Sequence, residues 1–270
     1  MLRILTAVVL LVLFWTIIKI APDWVFFSVA GVVIVIATWE SLRLADAREA
    51  RPLKIVALAA TVGVIVSFTR AEPWMSLVVS LTAACLVTVV GSMALRDAPL
   101  AMMRSTVSTI FPVMFVGVGL GFALGLKTFP GEEGEDLLML LLVCATALDT
   151  VAYYVGRAVG RHRMAPVLSP NKTWEGAAGG ILACIGAAVL AHLWFYQRLP
   201  LVHALALGGI IAVAGILGDL AESMVKRAAG AKDASALLPG HGGVLDRIDS
   251  LLLAGPVLYY YYLVFLRGAV

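Results

Sequence analysis

The residues best suited to chemistry lie together between Ser223 and Asp249. Four cations (Lys226, Arg227, Lys232, Arg247), three carboxylates (Asp233, Asp246, Asp249) and His241 fall between two apolar runs of helix length. A loop so placed sits at a membrane surface, and its plain role is a basic anchor with a glycine-rich turn. Three features point further. Asp219, Glu222, Ser223 and Lys226 are spaced i, i+3, i+4 and i+7, so one face of the preceding helix is polar for about two turns. Asp219 falls inside the apolar run, where an unpaired carboxylate costs at least ~2.5–3.5 kcal/mol on insertion scales. Gly240, Gly242 and Gly243 surround His241 and would let successive backbone N–H groups close on an anion. Asp246 and Asp249, three apart at the start of the last run, share a helix face. Carboxylates so spaced beside Asp219 suit a hard divalent cation bound through oxygen, and the cationic side chains suit phosphate. The chemistry indicated is divalent metal plus polyphosphate at a membrane surface.

The rest of the chain must carry that stretch. At 270 residues, 61% hydrophobic and 14% charged, with mean hydropathy +0.99, it lies far above the apolar content of soluble domains. The fold class expected is all-α, a polytopic integral membrane protein. A span needs about 20 apolar residues, and nine runs qualify: 2–20, 24–42, 54–70, 74–94, 107–126, 137–157, 175–196, 201–223 and 248–267. The third is the shortest. The first has no small-residue cleavage site and reads as a retained span. Turn chemistry at Pro22-Asp23, Glu72-Pro73, Pro130-Gly131 and Leu199-Pro200 marks breaks between runs.

With the N-terminus in the cytoplasm, fifteen of the 20 Lys and Arg residues fall on the inner side, a positive-inside bias. The Ser223–Asp249 stretch then faces the cytoplasm, and Gly131–Asp136, with its four carboxylates, is an outer, solvated turn. Cys85, Cys144 and Cys184 each lie within an apolar run and read as small core residues without a disulfide. Residues 1–126 read as a transmembrane scaffold. Trp15, Trp24, Trp39 and Trp74 are placed as interface anchors, Glu40 with Arg43 reads as a solvated helix end, and Gly117, Gly119, Gly121 and Gly125 form a close-packing face.

Residues 137–270 read as the catalytic region. Asp149 lies about two turns inside the sixth run and shares a face with Tyr153, Gly156 and Gly160. Carboxylates within a span default to function. Arg157, Arg161 and Arg163 follow, as anchors or as anion contacts. Ser169 to Gly176 then combines a proline-fixed turn with the hydroxyls of Ser169 and Thr173, the Lys172 ammonium and the Glu175 carboxylate. It lacks the glycine pattern of a P-loop.

Together these residues resemble one family. Ser223, Lys226-Arg227, Lys232-Asp233, Pro239, His241-Gly242-Gly243, Asp246-Arg247 and Asp249 are similar, with every spacing kept, to the signature of the CDP-diglyceride synthetases, or phosphatidate cytidylyltransferases. Ser169-Pro-x-Lys-Thr-x-Glu-Gly176, and Asp149 followed by Ala-Tyr-x-x-Gly-Arg-x-x-Gly-Arg161, extend the resemblance over residues 146–250. It implies that CTP and phosphatidic acid give CDP-diacylglycerol and pyrophosphate in the inner membrane, with the site facing the cytoplasm. It implies Mg2+ or another divalent cation, with a second cation optional. Asp219 and Asp246 are then the principal metal ligands, with Asp249 and Asp149 as further ligands or their supports. Lys172, Lys226, Arg227, Lys232 and Arg247 contact phosphate. Ser169, Thr173, His241 and the Gly242-Gly243 backbone supply hydrogen bonds, and Glu175, Ser223 and Asp233 belong to the substrate-binding set.

Two other readings compete. A CTP-dependent membrane lipid kinase would move the γ-phosphate rather than the α-phosphate. A cation-coupled transporter would need a polar track through the outer halves of the spans, which show none, and no internal repeat is evident. No nucleic-acid partner is expected; membrane lipid is, and a homodimer is the favoured assembly. Asp219→Ala and Asp246→Ala should each abolish turnover while circular dichroism in detergent stays that of the parent. Retained turnover in both would remove the metal-ligand assignment.

Overall fold

The computed structural model describes residues 15–47, 50–70, 73–94, 98–237 and 242–267. Among them, seven helices are long and apolar enough to cross a membrane. In chain order, with one shorter helix included, the elements are α1 (Asp23–Asp46), α2 (Lys54–Phe68), α3 (Trp74–Ala94), α4 (Pro99–Thr128), α5 (Glu133–Val159), α6 (Trp174–Trp194), α7 (Leu201–Ala228) and α8 (Leu245–Leu266). The protein is an all-α polytopic membrane protein, as its composition predicts. Of the first expected span, residues 15–20 lie in the described part, with 15–19 helical; 2–14 are outside it.

Two expectations about spans change. The third run forms α2 of 15 residues, about 22 Å at 1.5 Å per residue, short of a ~30 Å hydrocarbon core. Ala57, Thr61, Val64 and Phe68 are buried along it. The fifth begins earlier than its apolar pattern suggests. Pro99, suited to a first helical turn, starts α4, and the hydroxyls that break the pattern have partners. Ser105 Oγ donates to the Arg51 carbonyl at 2.7 Å, and Thr109 Oγ1 accepts from Leu53 N at 2.8 Å. Pro112 lies inside α4 and is followed by a π-helical stretch, Val113–Val118, an adjustment expected where a proline removes a donor.

The expected glycine face is a contact face. A Cβ on Gly119 would stand 2.6 Å from the Leu252 carbonyl of α8, and Cβ atoms on Gly121 and Gly125 would stand 2.7 Å from the Phe68 ring. The N-terminal helices are thereby packed tightly against the helix that carries Asp246 and Asp249.

The acidic Gly131–Asp136 turn is not simply solvated; that expectation is corrected. Lys19 pairs with Asp136 at 2.7 Å and Glu135 at 3.2 Å, and Lys127 with Glu135 at 2.6 Å. Tyr196 Oη donates to Glu133 at 2.6 Å, with Glu133 and Asp136 both buried. These bonds cross-link the helix ends remote from the basic loops. All three cysteines are free, with Cys144 and Cys184 buried.

At the other end, a short antiparallel hairpin, β1 (Arg163–Ala165) with β2 (Ser169–Thr173), joins α5 to α6. Pro170 lies within β2, and Thr173 caps α6 by accepting from Gly176 N at 3.1 Å. Gly119→Ala should cost about 1–3 kcal/mol by overpacking and lower the melting temperature in detergent by several degrees. Gly186→Ala, whose Cβ would meet nothing within 4 Å, should leave it unchanged or raised. Equal melting temperatures for the two variants would contradict the packing account.

Candidate active site

A cavity of ≈ 630 Å³ opens where α5 and α7 end and α6 and α8 begin, a size typical of small-molecule sites. Asp149 from α5, Asp219 from α7, and Asp246 and Asp249 from α8 line it. So do Arg157, Arg163, Lys172, Thr173 and Arg247. Residues far apart in sequence, brought from four helices and the hairpin, thus share one polar hollow beneath one end of an apolar bundle.

Within it, carboxylate oxygens of Asp219, Glu222 and Asp249 lie within 4.8 Å of one another. The close approach of α7 to α8 makes this cluster, because a Cβ on Gly218 would stand 2.6 Å from the Asp249 carbonyl. Lys172 from β2 forms an ion pair with Asp219. Asp249 Oδ1 accepts from Ser250 N at 2.7 Å, and Ser250 Oγ donates to Asp149 at 3.4 Å. Asp149 and Asp249 have no cation within 4.0 Å among the described residues. Glu222 is wholly buried, and the Lys226 ammonium at 2.5 Å is its ion pair, with neither carboxylate oxygen accepting a well-formed hydrogen bond. An oxygen-only donor set with uncompensated negative charge fits a hard divalent cation. In sequence, Glu222 falls on the polar face with Asp219 but is not among the candidate ligands named; its helical phase beside Asp219 is the available signal.

Asp246 has both oxygens engaged. Oδ1 accepts from Lys226 Nζ at 2.6 Å, while Oδ2 accepts from Ala234 N at 2.9 Å and Gly243 N at 2.7 Å. It lines the same cavity as Asp219 but also ties down the preceding loop. Gly242 takes φ +79°, and a Cβ there would lie 2.8 Å from Asp246 Oδ2. Only glycine fits this left-handed position easily. Lys226 lies buried between Glu222 and Asp246.

Several other expected site residues stand off the cavity wall. Arg227 donates to the Leu168 and Ala231 carbonyls at 3.1 and 2.9 Å, joining α7 to the hairpin. Glu175 accepts from Arg161 N at 3.1 Å and pairs with the His162 ring at 2.6 Å, bracing the chain before β1. Ser169 lies in β2, Ser223 is buried in α7, and Lys232 and Asp233 are exposed. His241 lies outside the described residues. Glu40 is a correction: it is no solvated helix end but 2% exposed, bonded to Ser235 and to the backbone N–H groups of Val244 and Leu245. Nothing local to Trp39-Glu40-Ser41 marks it, since its partners lie about two hundred residues away.

Fold and cavity define a polytopic membrane protein with a carboxylate cluster and cationic side chains converging at one end of its helices, an acidic cluster that could hold a metal ion. The chain belongs to the cytidylyltransferase family, whose model matches residues 1–265. A phosphatidate cytidylyltransferase of Haemophilus influenzae is 41% identical over 171 residues, 61% of this chain and 58% of that protein. Those of Brucella abortus (strain 2308) and Bacillus subtilis are 44% identical over 146 residues (53% of each chain) and 40% identical over 129 residues (48% of each chain). The chain thus spans about half the length of the curated relatives it matches.

The buried and exposed cations should behave differently. Lys226→Met leaves two carboxylates without their ion-pair partner, a loss of about 3–5 kcal/mol, and should lower the melting temperature by on the order of 10 °C. Arg247→Met, at an exposed cavity-lining position, should leave the melting temperature within a degree or two while reducing activity at least tenfold.

Proposed function

We propose that the chain transfers the cytidylyl group of CTP to phosphatidic acid, giving CDP-diacylglycerol and pyrophosphate. Family membership and the names of the relatives support this reading. The observation that carries it is a single cavity where four carboxylates meet four cationic side chains at the end of the membrane helices. One substrate is water-soluble and the other is held in the leaflet, so the site must be reached from both phases.

In this reading, an oxygen of the lipid phosphate attacks the α-phosphorus of CTP. The new P–O bond forms as the bond to the α–β bridging oxygen breaks, and pyrophosphate leaves with that electron pair. A phosphate monoester has a second pKa near 6, so the attacking oxygen is largely ionised near neutral pH and needs no strong base. The protein's task is to hold two polyanions in line and offset their repulsion. Lys172 and Arg247 serve this from the wall, with Arg157 and Arg163 at the hairpin side. Asp219, Glu222 and Asp249 would hold Mg2+ or another divalent cation, with Asp246 and Asp149 beside them. A bound divalent cation supplies charge neutralisation and a template for the phosphates. Asp149, on the same cavity wall, would be available as a ligand for a second cation.

Residues 1–126 serve as scaffold and residues 137–270 carry the reacting groups. In this reading the cavity faces the cytoplasm from the cell inner membrane, which the positive-inside bias supports, and a homodimer is the favoured assembly. The decisive measurement uses purified protein in detergent with phosphatidic acid and CTP labelled at either the α- or the γ-phosphate. The α-label should pass to lipid, the γ-label should appear in pyrophosphate, and a chelator should stop both. Label from the γ-position in lipid would establish a kinase instead, and no labelled lipid from either would end the proposal.

A further inference from the structure

We propose that Glu40, near the beginning of the chain, is a positioning residue for the site carboxylates: it clamps the turn that brings Asp249 to Asp219 and Asp246 to the cavity wall. Glu40 lies in α1 and is 2% exposed. Its Oε1 accepts from Ser235 Oγ at 2.5 Å and from Val244 N at 3.1 Å, and its Oε2 accepts from Leu245 N at 2.7 Å. Val244 and Leu245 open the helix on which Asp246, Arg247 and Asp249 follow at once, and a carboxylate is favoured at such an end because the first N–H groups have no partner within the helix.

Two carboxylates grip this turn from opposite sides. Asp246 takes the Gly243 and Ala234 N–H groups from the cavity side, and Glu40 takes the next two N–H groups and the Ser235 hydroxyl from the scaffold side. Gly243 sits between them, with space for no side chain: a Cβ there would lie 2.8 Å from both Glu40 oxygens. Among the described residues, the side-chain contacts that remain to the turn without Glu40 are those of Asp246. Asp246 would then be held by the loop it is meant to orient.

A carboxylate is needed and an amide will not serve. Val244 N and Leu245 N point at different oxygens of Glu40, so a glutamine must present an NH2 group to one of these donors. Groups that orient metal ligands typically contribute 10–100-fold to metal affinity or activity when removed.

The inference rests on the metal-and-phosphate reading of the cavity, and its test is read without turnover. Mn2+ binding to the purified full chain, followed by electron paramagnetic resonance in the absence of nucleotide, should weaken about tenfold or more in Glu40→Gln. Amide exchange should speed up across residues 242–250 while α5 and α6 keep their protection. Glu40→Asp, which keeps both acceptors one methylene short, should recover part of the Mn2+ affinity. Gly243→Ala displaces the same contact from the other side and should give the same pair of changes, so the test survives if Glu40→Gln fails to fold. Parental Mn2+ affinity in a folded Glu40→Gln or Gly243→Ala variant, or loss of protection spread evenly over all helices, overturns the positioning role. Failure of the CTP label to reach lipid, with the Mn2+ changes as stated, would instead count against the activity alone.

Discussion

Several carboxylates are held together just beneath the end of an apolar helical bundle, where each needs compensation from a cation or an N–H donor. Lys172 answers Asp219, and Lys226 answers both Glu222 and Asp246. Backbone N–H groups answer Asp246 and Glu40. Asp149 and Asp249 are left without an ion pair among the described residues, which gives the hollow its capacity for a metal ion. Low-dielectric surroundings strengthen every such interaction and equally penalise any group left alone. The geometry of the site follows from how this charge is balanced.

Holding like charges together requires stiff supports, and these are built from close backbone approaches. Gly218 lets α7 meet the Asp249 carbonyl, and Gly156 and Gly176 let α5 and α6 close around Thr173. Lipid supplies no hydrophobic drive for helices to associate, so small residues and dense packing must do so. The scaffold helices join the same scheme: Gly119 seats α4 against Leu252, and Glu40 holds the start of the same helix. Contacts from α1 and α4 thus reach the helix that carries Asp246 and Asp249.

Much was legible because helical phase is local. Asp219, Glu222, Ser223 and Lys226 are one face of a helix whatever surrounds it, and Asp246 with Asp249 likewise. The Gly117–Gly125 face was readable for the same reason. The errors came where partners are distant. Glu40 reads as a solvated helix end, the acidic turn as solvated, and the fifth run as beginning at 107; in each case the partner lies many residues away. Lys226 and Arg227, read as phosphate contacts, also have partners within the fold.

The sequence by itself determined a membrane-spanning helical protein, with intramembrane carboxylates and basic loops at positions 149–249, because span length and helical periodicity are properties of consecutive residues. Only the tertiary structure decided which carboxylates meet as a cluster, which cations remain on the cavity wall, and that a residue near the beginning of the chain steadies a turn near its end. Those outcomes depend on distances between helices, set by packing contacts that no local pattern encodes.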